Sequence, residues 1–208
     1  MNIYIGIDPS MNSTGLCIQF WEDKDTFIKE YFAIIKPGKL TKKEQVAQEK
    51  YLFFDYILFD KYDLKIYENN HEHEYYKTMN MINTLDKIIE TIKENISENS
   101  YIFVVQEGIS YGSTLRTKSV FDLAGLNFMI RDRFIRLAKN LDTNFKLTIA
   151  TPSEIKKWSS GYGNCKKEVM IDMFMNIYPD FNLPKIDDIC DAYFMASYGK
   201  YLHDNNRI

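Results

Sequence analysis

Cysteine is scarce in this chain of 208 residues: Cys17, Cys165 and Cys190 stand far apart with no paired spacing. That excludes a disulfide framework and a cysteine zinc site, and the three read as reduced thiols in packing positions. Long apolar runs are missing too. Nothing approaches the roughly 20 residues of a membrane span, and no basic-then-apolar leader opens the chain, so a soluble intracellular protein without a membrane partner is expected. Histidine occurs three times, twice in His71-Glu72-His73-Glu74. With no third ligand cluster nearby, that stretch reads as a solvated turn rather than a metal site. Internal repeats and low-complexity tracts are absent. So is a basic excess: the net charge is -3, where a nucleic-acid binder ordinarily carries a positive footprint.

The distribution of charge qualifies that last absence. Residues 41–100 hold 8 Lys and Arg against 12 Asp and Glu, whereas residues 111–171 hold 11 against 5. A basic tract inside an acidic chain suits a phosphate-facing surface.

The chain opens on apolar strand formers, Ile3, Tyr4, Ile5 and Ile7, that stop at Asp8-Pro9-Ser10. A loop of small residues leads to an antiparallel return, Leu16 to Trp21, and a third strand over Thr26 to Ile35 closes at Pro37-Gly38. Residues 41–73 are the least legible: Lys42 to Lys50 has a helical composition, and Tyr51 to Tyr67 fits a helix or a protruding strand pair. From Glu74 to Glu98 the apolar residues Met79, Ile82, Leu85, Ile89, Ile92 and Ile96 recur at steps of three and four, predicting an amphipathic helix. The near-continuous apolar strand Tyr101 to Gln106 follows and ends at Glu107-Gly108. A second helix is predicted over Thr117 to Lys139, with Lys118, Arg131, Arg133 and Arg136 off its apolar stripe. A fifth strand spans Phe145 to Ala150, Thr151 or Ser153 caps a short helix to Trp158, and a Gly- and Lys-containing loop, Ser159 to Lys167, opens the next helix. The last helix runs from Asp187 to about Leu202. These elements predict one α/β domain over residues 1–208, with an insertion at about 41–73.

Two strands therefore end in a carboxylate, Asp8 and Glu107, and the last helix opens with Asp187, Asp188 and Asp191. Spacings of three and four put Asp191 on one face with either of the others, and the apolar run that follows sets them beside the core. Like charges so placed need a compensating cation or must face water. The expectation is that Asp8, Glu107, Asp188 and Asp191 converge on two divalent cations, Mg²⁺ or Mn²⁺, a donor set suited to phosphodiester hydrolysis with a lysine as charge partner.

Taken together, Gly6-Ile7-Asp8-Pro9-Ser10 with Thr14-Gly15, Gln106-Glu107-Gly108, Pro152 to Lys156 with Gly161-Tyr162-Gly163 and Lys166-Lys167-Glu168-Val169, and Asp188-Ile189-Cys190-Asp191-Ala192 resemble the RuvC family of Holliday-junction resolvases in the RNase H-like nuclease superfamily. The resemblance implies a five-stranded mixed sheet flanked by helices, a four-carboxylate metal site holding two ions, and a homodimer that nicks opposing strands of four-way DNA junctions. It makes Asp8, Glu107, Asp188 and Asp191 metal ligands and Lys156 and Lys166 basic helpers, with Lys167 the alternative to Lys166 and Asp187 to Asp188. Tyr111 becomes the aromatic inserted into the junction, and Arg116, Lys118, Arg133, Lys156, Lys166 and Lys167 the DNA-facing cations. The Lys-, Asn- and Ile-rich composition is similar to that of phage- and virus-encoded relatives, some of which cut other branched DNA, and implies the cytoplasm of a bacterial host or infected cell. No small-molecule substrate is expected. Two alternatives stand beside it: a non-catalytic branched-DNA-binding protein on the same fold, and an actin-like ATPase fragment, whose family shares the opening motif but needs two such domains.

Overall fold

A computed structural model describes residues 1–60, 70–97, 99–109 and 117–207. Strand β1 (Asn2–Asp8) pairs antiparallel with β2 (Thr14–Trp21), which pairs antiparallel with β3 (Phe27–Pro37). On its other side β1 runs parallel to β5 (Tyr101–Glu107), and β5 parallel to β6 (Asn144–Ala150).

The sheet has six strands rather than the expected five. The sixth, β4 (Phe54–Phe59), pairs parallel with β3, giving the order β4-β3-β2-β1-β5-β6. A parallel neighbour needs a crossover, and α1 (Lys42–Lys50) supplies it. Its capping box satisfies two orphan N–H groups: the Thr41 hydroxyl accepts from the Glu44 N–H at 3.3 Å, and the Glu44 carboxylate accepts from the Thr41 N–H at 2.7 Å. The expected insertion is thus partly a regular edge of the sheet. Its pattern was obscured because the strand serves both faces, with Phe54 and Tyr56 in one core and Ile57 and Phe59 in the other.

Helix α2 (Asn70–Lys93) begins before the expected position, so His71-Glu72-His73-Glu74 forms its first helical turn rather than an irregular one, with His71 and Glu72 exposed. The acid Glu72 there suits the positive end of the helix dipole. With α3 (Thr117–Leu141) it covers one sheet face over Ile3, Ile5, Ile7 and Val104. The other face, bearing Tyr4, Cys17, Phe32 and Phe103, is covered by α4 (Pro152–Ser160), α5 (Lys167–Ile177) and α6 (Ile186–Asp204). Phe32 anchors that layer, its ring centroid 5.5 Å from Phe181, 5.7 Å from Tyr178 and 6.0 Å from Phe174. Cys17 and Cys190 are buried and all three cysteines are free thiols. Among the described residues no helix is long and apolar enough to cross a membrane.

Candidate active site

Strand alternation aims the acids. Tyr4 lies in the α6-side core, so Gly6 and Asp8 share that face of β1; Phe103 and Val105 lie in the same core, so Glu107 follows them on β5. The parallel register pairs Ile7 with Gln106, which sets Asp8 and Glu107 side by side at the carboxyl ends of adjacent strands. Helix α6 is then pressed onto the sheet. A Cβ added to Gly6 would lie 1.9 Å from the Ala192 carbonyl oxygen, and one added to Gly15 would lie 2.2 Å from that of Asp188. Only glycine admits so close a backbone approach, and it delivers Asp188 and Asp191 to the two strand ends.

The electrostatics record that convergence. Burial, then the charge and hydrogen bond of Glu107, then Asp191 and Asp188, hold the Asp8 carboxyl well above its ordinary range. Glu107 is also raised, chiefly by burial, against the opposing hydrogen bond from Asp8 and the charges of Lys167 and Lys156. The charge of Glu107 adds to the cost of ionising Asp8 beside it, so the two titrate as a pair. Burial raises Asp188 despite the hydrogen bond donated by the Ser13 hydroxyl, and raises Asp191 despite Lys167.

Lys167, rather than Lys166, reaches the acids. Its ammonium lies 3.0 Å from an Asp187 oxygen and 3.1 Å from an Asp191 oxygen. Burial lowers its pKa, but Asp191 and Asp187 outweigh that and raise it. Lys166 is the N-cap of α5 and is exposed. Beside the acids opens a cavity of about 190 Å³ lined by Glu107, Asp191, Lys156 and Lys167, with Ile155, Met170 and Met195 as apolar walls. Among the described residues no three His, Cys, Asp or Glu side chains stand as a ready-made metal cage. The donor set nevertheless fits a hard divalent cation in ligand type and charge: two buried strand-end acids repel each other where a cation would balance both, and an ammonium already meets a third, Asp191.

Of the other residues named from sequence, Tyr111 and Arg116 lie outside the described residues. Lys118 falls in the first turn of α3, its side chain likewise outside them. Arg133 is drawn away from the acids: on the α2–α3 face it pairs with Asp86 at 3.0 Å and Asp132 at 3.1 Å. Asp187, named from sequence as the alternative to Asp188, meets Lys167, whereas Ser13 contributes to the site without having been singled out for it. Among several hydroxyls in the loop after Asp8, only the docking of α6 selects Ser13.

No protein-family model matches the chain, and no curated protein matches it significantly. Among solved structures it is similar to RuvC of Thermus thermophilus, with TM-score 0.56 at 14% identity over 98% of this chain and 96% of that one. It is likewise similar to the T. thermophilus RuvC in complex with Holliday junction substrate, with TM-score 0.55 at 12% identity and the same coverage. The fold is the mixed α/β, RNase H-like one of these structures.

Proposed function

We propose that this chain is a divalent-metal-dependent endonuclease of branched DNA that resolves four-way junctions, working as a homodimer so that two sites nick opposing strands. The observation that carries the reading is the convergence of Asp8 and Glu107, on adjacent strand ends, with Asp188 and Asp191 on the helix packed across them and Lys167 against Asp191. The fold, similar to that of a RuvC solved with a Holliday junction, supports branched DNA as the substrate class.

Asp8, Glu107, Asp188 and Asp191 would hold Mg²⁺ or Mn²⁺, which would supply Lewis-acid polarisation of the phosphodiester and an acidified water. Ser13 fixes the Asp188 carboxylate through its hydroxyl. Lys167 holds Asp191 in place and, with Lys156, sets positive charge on the cavity wall, where it stabilises the charge developing on the phosphate and the leaving oxygen. Ile155, Met170 and Met195 form the apolar part of that wall. Tyr111, Arg116 and Lys118 act, in this reading, as DNA contacts. Arg133, committed to Asp86, stabilises the α2–α3 layer.

Cleavage of a synthetic four-way junction with Mg²⁺ or Mn²⁺ tests this, beside duplex, fork and flap controls and beside Asp8→Asn. Paired symmetric nicks lost in the variant are expected. Junction binding without cleavage by the folded protein would return the non-catalytic reading, and ATP binding without DNA binding the ATPase one.

A further inference from the structure

The loop between α4 and α5 carries a large side chain that the chemistry above does not use. Tyr162 is 72% exposed, yet its backbone is pinned. Gly161 closes α4 in the left-handed conformation, its N–H donating to the Lys157 carbonyl at 3.0 Å. The Ser160 hydroxyl accepts from the Tyr162 N–H at 3.2 Å, and the Tyr162 carbonyl accepts from the Cys165 N–H at 3.1 Å, closing a turn. Gly163 lies against α4, where an added Cβ would sit 3.1 Å from the Ser153 carbonyl oxygen. The loop is tied at both ends to the cavity, since Lys156 precedes it and Lys167 follows it, and both line that cavity with Glu107 and Asp191. Lys157 and Lys166, which flank the ring in sequence, are exposed.

A flat ring exposed to water, on a loop that joins two cavity-lining lysines and is flanked in sequence by two exposed ones, is organised for a flat partner with an anionic backbone. Every nucleobase offers a π face, and stacking on an aromatic side chain tolerates sequence. Bases inside a duplex already stack on each other, so the ring takes a base that has left the stack, as at a branch point. We infer that Tyr162 is a stacking platform for an unpaired base next to the scissile phosphate, with Lys157 and Lys166 gripping the adjoining backbone; this rests on the branched-DNA reading above.

The test uses full-length protein carrying Asp8→Asn, so that no strand is cut, and four-way junctions with 2-aminopurine placed in turn at each nucleotide flanking the branch. With Tyr162 present, fluorescence changes on binding at one position. Tyr162→Ala abolishes that change and weakens binding roughly 5- to 150-fold, with an unaltered thermal midpoint because the ring is exposed. Tyr162→Phe keeps both signal and affinity, since the π face and not the hydroxyl is used. Lys157→Ala and Lys166→Ala each reduce the salt slope of binding by about 1 and leave the fluorescence change in place. An undiminished signal and affinity in Tyr162→Ala overturns the inference, as does a Phe variant as defective as Ala, or tight junction binding with no fluorescence change at any position. Failure of the Tyr162-containing protein to bind any branched DNA overturns the proposed function itself, and this inference with it.

Discussion

Gly6→Ala probes the contact on which the site depends. The added methyl would sit 1.9 Å from the Ala192 carbonyl oxygen and 2.5 Å from the Ala196 nitrogen, roughly 1.5 Å short of ordinary van der Waals separation. Both neighbours are backbone atoms in the middle of α6, so no side chain can swing aside and the helix itself must lift from β1. Overpacking of this kind costs typically about 1–3 kcal/mol, occasionally more, and an obstruction by two backbone atoms belongs at the upper end, about 3 kcal/mol. For a chain of this size that is a fall of about 6–12 °C in thermal midpoint. Asp188 and Asp191 ride on the displaced helix, and a misplacement of about 1 Å costs on the order of 100-fold in rate. Gly125→Ala is the control: nothing lies within 4 Å of its added Cβ, it is exposed in the interior of α3, and the replacement stabilises by about 0.5–1 kcal/mol. Calorimetric melts and junction-cleavage rates of the two variants decide the matter. A Gly6→Ala protein that melts with wild type and cleaves at the wild-type rate refutes the argument that this close approach builds the site.

Lys167→Met lowers the single-turnover cleavage rate by about 100-fold, while Lys166→Met weakens junction binding and leaves that rate in place; equal rate losses in the two would sink the assignment of roles. Asp8→Asn abolishes cleavage yet raises metal-free stability by about 1–2 kcal/mol, because it removes an acid that burial and three neighbouring carboxylates penalise; a lower melting point without metal would contradict the crowding described above. Glu44 is 3% exposed and receives the Lys36 ammonium at 2.6 Å. Burial raises its pKa, but Lys36 and the Thr41 groups outweigh that and hold it below the ordinary 4.5. Its stabilisation is therefore complete above the unfolded-state value and disappears as pH falls through the lower folded-state one. Glu44→Ala costs about 3 kcal/mol at neutral pH, counting the stranded Lys36 and the lost cap, and denaturant midpoints of variant and wild type should converge in acid; a pH-independent gap would remove the ion pair from the account.

What the sequence by itself determined is what depends on local period and local chemistry. The alternation and apolar density of β1, β2 and β5, and the three-and-four spacing in α2 and α3, follow from which faces a segment must bury, and they emerged within a few residues of their final bounds. The same patterns placed Asp8 and Glu107 at strand ends. Edge strand β4 escaped because a short strand shared between two cores has no single apolar face. Pairing across distance needed the tertiary structure. Lys166 and Lys167 differ by one position, about 100° around a helix, and only the docking of α5 beside α6 turns Lys167 to Asp187 and Asp191. Arg133 looked as free as its neighbours until α2 brought Asp86 to it. The division of labour between Asp187, which meets Lys167, and Asp188, which meets Ser13, is set by how far α6 sinks onto Gly6 and Gly15. That depth is a property of backbone against backbone, with no trace in the periodicity of either segment.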